Sequence, residues 1–159
     1  MTNITIGMAL TDFLNADEQR RIEQAIEAAE RDTSGEICVH VTRRCKADPV
    51  KAAERVFNRL GLYRTRRRNA VLVLVAYESR RFAIIGDSGI NEAVPSGFWE
   101  SKKDTLAAYL AQGLAADGLC RVVAEIGSSL RQYFPPDEVD NNELSNQITY
   151  DDNSEDNEA

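Results

Sequence analysis

The sequence predicts an α/β fold: a small mixed β-sheet, made of a parallel βαβ pair plus an antiparallel hairpin, sandwiched between helices on both faces. Three observations carry this reading. Ile22, Ala25, Ile26 and Ala29 recur on one stripe at helical spacing. Glu36–Thr42 alternates and is rich in β-branched residues, the pattern of a strand. Ala70–Tyr77 is an uninterrupted apolar run, which suits a strand covered on both faces.

The remaining elements follow in order. Asn15 and Glu18 have the spacing of a capping box and open the first helix, which Thr33-Ser34-Gly35 ends. After the strand at Glu36–Thr42, Asp48 can cap a second helix and Pro49 suits its first position. Val50, Ala53, Phe57 and Leu60 are its expected buried face, and Gly61 stops it. Glu78-Ser79 turns the chain, and Arg80–Ile85 returns antiparallel to the apolar run. Strand, helix, strand implies a parallel pair joined by a right-handed crossover. Two further helices are expected, over Gly97–Gln112 and over Gly118–Tyr133, with Trp99 either in the core or on the wall of a cleft. Pro135-Pro136 ends the packed domain, placed at residues 12–136.

A chain of 159 residues suits one domain. The net charge of −7 is unevenly spread: residues 137–159 hold nine acidic groups and no Lys or Arg, leaving 17 acidic against 19 basic groups before them. The segment 137–159 is therefore read as an acidic, largely disordered tail, which either solubilises the chain or folds back on the basic segment. No apolar run approaches the ~18 residues of a membrane span, and Met1–Leu10 lacks the pattern of a signal peptide. A cytoplasmic, monomeric chain with no membrane partner is expected. Cys38, Cys45 and Cys120 have no C-x-x-C spacing, and one histidine cannot complete an ordinary zinc site; reduced thiols are expected.

Several chemistries are excluded by context. A nucleophile–histidine arrangement would have to recruit His40, which lies inside the alternation of a strand. Cys38 and Arg44 match C-x5-R, but the intervening residues form a strand where that chemistry needs a phosphate-cradling loop. Gly86–Gly89 lacks the second half of a phosphate loop and its following lysine.

Strand geometry is more informative. With Glu78 and Ser79 at the turn, Asn69 falls opposite Ser88 and next to Asp87, and a parallel first strand brings Glu36 to the same end of the sheet. Glu36, Asn69 and Asp87 form an oxygen-rich corner, with Glu92 and Glu100 soon after, and such a donor set suits Ca²⁺ or Mg²⁺ over a soft metal. Arg64, Arg66, Arg67 and Arg68 lead into this corner. They read as a solvated connection or counterweight to the acids, or with Arg66, Arg67 and Arg68 as an anion or phosphate contact. Nucleic acid is not the expected partner, since the loop lacks interleaved aromatics.

Taken together, several segments resemble the TPM-domain family. They are Thr33-Ser34-Gly35-Glu36-Ile37, Ala53-Glu54-Arg55-Val56-Phe57, the stretch Arg68 to Val75, and Gly86-Asp87-Ser88-Gly89-Ile90. Phe98-Trp99, Tyr133-Phe134-Pro135 and Asn142-Glu143-Leu144 are similar to its short soluble bacterial branch. The resemblance implies a sheet between helices. Its thylakoid-lumen type is associated with photosystem II repair and acid phosphatase activity, its soluble bacterial type with divalent cations, chiefly Ca²⁺. By position, the family's strand-end acidic residues correspond to Glu36 and Asp87, with Asn69 between them. Ala70 departs from the usual glycine after the Asn, and the signal or membrane segment common in relatives is not seen. The expected function is thus a divalent-cation-binding interaction or regulatory module, with room for an unidentified protein partner. The alternative is a metal-assisted acid phosphatase acting on phosphomonoesters.

Overall fold

In the computed structural model, the described residues are 10–46, 48–137 and 148–151. Among them, four strands form one sheet in the order β3-β2-β1-β4: β1 Glu36–Thr42, β2 Ala70–Ala76, β3 Arg81–Gly86 and β4 Thr149–Tyr150. The helices are α1 Leu10–Phe13, α2 Ala16–Asp32, α3 Pro49–Arg59, α4 Ser88–Ala93, α5 Glu100–Ala111 and α6 Ala115–Leu130. No helix among the described residues is long and apolar enough to cross a membrane.

β1 and β2 run parallel, with Glu36 opposite Ala70, and β2 and β3 pair antiparallel, with Val71 opposite Gly86. This is the register that a turn at Glu78-Ser79 demands. Because side chains alternate across a strand, the two sheet faces bury different partners. Ile37, Val39, Val41, Val71, Val73 and Val75 pack with α2 and α6, whereas Cys38, Leu72 and Leu74 pack with Ala53, Val56 and Phe57 of α3. Both strands are buried along their whole length, as the apolar run of β2 requires.

Local chemistry sets the helix starts. Asn15 Oδ1 accepts from the Glu18 amide at 2.8 Å while Glu18 Oε1 accepts from the Asn15 amide at 2.9 Å. Asp48 accepts from the Val50 amide at 2.9 Å, and Gly61 leaves α3 at φ 70°, a left-handed conformation open to glycine. On α3, Ala53 and Phe57 are buried as expected and Leu60 packs partly buried beside them, but Val50 is 40% exposed and Ala52 and Val56 are buried in addition. Val50 lies in the first turn, off the stripe that faces β2 and β3. α6 begins three residues before Gly118, at Ala115. Trp99 is half-buried against the larger core and sits edge-on to Phe98 at 5.0 Å.

The segment 137–159 was expected outside the packed domain. Four of its residues, 148–151, lie against the outer edge of β1, and Ile148 is buried. The reason is visible in β1, whose outer backbone groups need partners. The expectation of disorder for the remaining tail falls on 138–147 and 152–159, which lie outside the described residues.

Candidate metal corner

The N-terminal ends of β1 and β2 and the C-terminal end of β3 meet at one end of the sheet, as the hairpin register dictates. The Glu36 amide donates to Asn69 O at 3.3 Å, the Asp87 amide to Ala70 O at 2.9 Å, and the Gly89 amide to Arg68 O at 2.9 Å. The backbone thus continues the ladder past the strands and brings Glu36, Asn69 and Asp87 to one corner. All three are buried: 4%, 1% and 7% exposed.

Glu36, Ala70 and Asp87 form a single cross-strand row, so alternation assigns both carboxylates to the α3 face. Asn69 precedes that row by one residue and falls with Val71 on the opposite parity. Ala70, between the acids, is fully buried with Phe57 and Leu62. The corner therefore divides into two carboxylates separated by an apolar residue, and an amide adjacent to them. The Asn69 side-chain oxygen is buried and accepts no hydrogen bond from the described residues, a state that carries a desolvation cost of about 1–3 kcal/mol.

The Asp87 carboxylate already has a cation. Arg68 grips it through two of its guanidinium nitrogens, Nε to Oδ2 at 2.7 Å and Nη2 to Oδ1 at 2.8 Å. The Asp87 side chain also caps α4 by accepting from the Ser88 amide at 2.7 Å. The geometry is uneven in exposure: the Asp87 side chain is 6% exposed and that of Arg68 50%. The paired carboxylate raises the Arg68 guanidinium above its usual value. Arg68 itself has φ 52°, a conformation uncommon outside glycine. Arg67 reaches Ser34 Oγ and Asp137 Oδ1, both at 3.0 Å. Arg66 also has a partner. The arginine loop therefore ties the corner together, as a counterweight to its acids.

Glu92 and Glu100 are exposed and are not among the buried acids of the corner. Among the described residues, no group of three or more His, Cys, Asp or Glu side chains is placed to hold a metal ion. What the corner offers is oxygen donors only, a set suited to a hard cation. On Asp87 such an ion would have to replace Arg68. Cys38, already excluded as a phosphatase nucleophile by its strand context, lies buried in β1; burial, with the charges of Glu30 and Glu36, pushes its thiol up to about 12. A neutral thiol at that position is no nucleophile.

Two features of the corner were missed in the sequence. One is the Arg68–Asp87 pair, whose members lie 19 residues apart. The other is Gly89. A Cβ there would lie 2.0 Å from Arg67 O and 2.7 Å from Arg68 O, so only glycine lets α4 approach the arginine loop. The Gly-Asp-Ser-Gly pattern was the available signal, since a glycine just after a strand often marks close backbone approach.

The opposite end of the sheet holds a cavity of about 690 Å³, lined in part by Phe13, Tyr77, Arg80, Phe82, Leu110 and Leu114. Phe13 and Tyr77 stack there at 4.9 Å. None of the residues singled out at the corner lines it.

Fold and corner together define a small α/β/α sandwich with an ion-paired polar corner at its strand ends. A family model described as the TPM domain matches residues 8–129, and the chain belongs to the TPM-domain family. It is similar to the BA42 protein of the psychrophilic bacterium Bizionia argentinensis, whose NMR structure superposes with a TM-score of 0.84 at 36% identity, covering 90% of this chain and 99% of that one. The N-terminal domain of cg2496 protein from Corynebacterium glutamicum shares the fold, with a TM-score of 0.61 at 17% identity and 76% coverage of each chain. No curated protein matches the chain at a significant level.

Proposed function

We propose that this chain is a non-catalytic, divalent-cation-responsive interaction module in which Ca²⁺ or Mg²⁺ competes with Arg68 for Asp87. The observation behind this reading is the pairing itself: a buried carboxylate neutralised by a half-exposed guanidinium that solvent can reach. A buried carboxylate requires a positive partner, and here that partner can be exchanged without opening the core. Asp87 would supply the carboxylate oxygens, Glu36 across Ala70 would add negative charge without sharing the ion, and the ion would supply the positive charge that Arg68 now provides. Release of the arginine loop would then be the signal presented to a partner.

The phosphatase alternative draws less support. Arg67 and Arg68, offered as phosphate contacts, are engaged by Ser34, Asp137 and Asp87. His40 lies in the middle of β1, bonded to Asp151, and not at the corner.

A ¹H–¹⁵N NMR titration with Ca²⁺ and then Mg²⁺ tests the proposal. Saturable shifts should centre on residues 35–37, 66–70 and 86–92. Asp87→Asn should abolish them, Glu36→Gln should weaken binding several-fold, and Arg68→Gln should tighten it several-fold by removing the competitor. Shifts confined to 137–159 in all variants would overturn the reading.

A further inference from the structure

His40 is 2% exposed, and its ring is held entirely by the C-terminal segment. Nδ1 lies 2.8 Å from Thr149 Oγ1, and Nε2 donates to Asp151 Oδ2 at 3.0 Å. A carboxylate only accepts, so Nε2 is the nitrogen that carries a proton. Asp151 also accepts from Thr42 Oγ1 at 2.8 Å and from Arg59 Nη2 at 3.1 Å, while its amide donates to Val41 O at 3.2 Å. Thr149 Oγ1 lies 3.3 Å from Val39 O. One residue of the segment, Ile148, is buried, and Tyr150 points outward at 56% exposure.

The segment's regular structure is two residues long, far short of the strand it borders, so its attachment rests on these polar contacts together with the burial of Ile148 in the larger core. The edge beneath it is arranged for such an occupant. Nearer the start of β1, the edge is closed from within, because the Ile37 amide donates to Glu30 Oε2 at 2.8 Å. Between Val39 and Thr42 that role falls to Thr149 and Asp151 of the C-terminal segment. Without them the buried His40 ring would lack both of the partners named above, a costly state for a buried polar group.

We propose that the outer edge of β1 from Val39 to Thr42 is a strand-addition site for an extended acidic segment of the form Thr-x-Asp, and that residues 148–151 are its built-in, exchangeable occupant. The hydroxyl meets His40 Nδ1, the carboxylate two residues later meets His40, Thr42 and Arg59, and the main chain runs parallel to β1. This is recognition by strand addition, with main-chain bonds for attachment and alternate side chains for selectivity. Tethering gives the chain's own segment the advantage of a high effective concentration over any competitor in trans.

The test uses the full chain carrying Asp151→Ala and a synthetic peptide of residues 146–153. The peptide should bind the variant saturably, shifting the NMR signals of residues 39–42 and 59. The same peptide carrying Asp151→Ala should bind at least tenfold more weakly. The unaltered chain should take up no peptide at ten times the concentration that half-saturates the variant. Should Asp151→Ala unfold the chain, Ile148→Ala serves instead, since it loosens the segment and leaves every polar group of the edge in place. The proposal falls if the peptide shifts none of these residues, if both peptides bind equally, or if the unaltered chain binds as readily as the variant.

Discussion

At the scale of single residues, the corner depends on what is small as much as on what is charged. Gly89 lets the start of α4 lie against the backbone of Arg67 and Arg68, with its amide bonded to Arg68 O. Any side chain there meets backbone atoms, which cannot rotate aside. Gly89→Ala should therefore cost about 3 kcal/mol in urea unfolding, at the upper end of ordinary overpacking. Its spectral changes should concentrate on the Arg68–Asp87 pair, and a cost below 1 kcal/mol would show that the loop gives way freely. Legibility also differs residue by residue. Asp87 could be placed at the sheet end from turn position, because antiparallel pairs sum to a constant, and Glu36 from the parallel pairing of the first two strands. The Arg68 grip could not, because it depends on an arginine held at positive φ.

At the scale of elements, the helices explain how the sheet is covered. α2 and α6 cross closely because Gly127 faces Ala29: a Cβ at 127 would sit 2.7 Å from the Ala29 Cβ and 3.0 Å from its Cα and carbonyl oxygen. Gly127→Ala should destabilise by about 2 kcal/mol, read as a lower urea midpoint at unchanged slope. An unchanged midpoint would mean that the helices simply move apart. Long elements were legible because periodicity accumulates over many residues: α2, β1, β2, β3 and the buried stripe of α6 stand where their patterns place them. α4, with six residues, and β4, with two, are too short to carry a period. On α3 only Val50 was misplaced, since Val50 and Ala53 fit a helical stripe as well as Ala53 and Val56 do.

For the whole molecule, the C-terminal segment couples stability to pH through Asp151. Burial pushes this carboxyl up, but hydrogen bonds from His40 and Thr42, with the charges of His40 and Arg59, outweigh it, so it titrates below the usual 3.8. A carboxyl whose value is depressed in the docked state contributes its full stabilisation above the usual value and loses it as pH falls through the depressed one. The protection factor of the Asp151 amide, bonded to Val41 O, should therefore be high at pH 7 and fall below about pH 4. Exchange in β2 should remain protected over the same range. Uniform loss of protection throughout the chain would show that the segment has no separate equilibrium.

By itself, the sequence determined the α/β class, the sheet register, the helix caps and the end of the sheet at which the acidic residues gather. These are local or periodic properties, decided by neighbours a few residues away or by a turn of known length. Only the tertiary structure decided what partners those residues have. Arg68 on Asp87, Gly127 against Ala29, and Asp151 across β1 to His40 are contacts between distant parts of the chain. They depend on angles and separations that arise once the layers pack, and no pattern along the sequence encodes them.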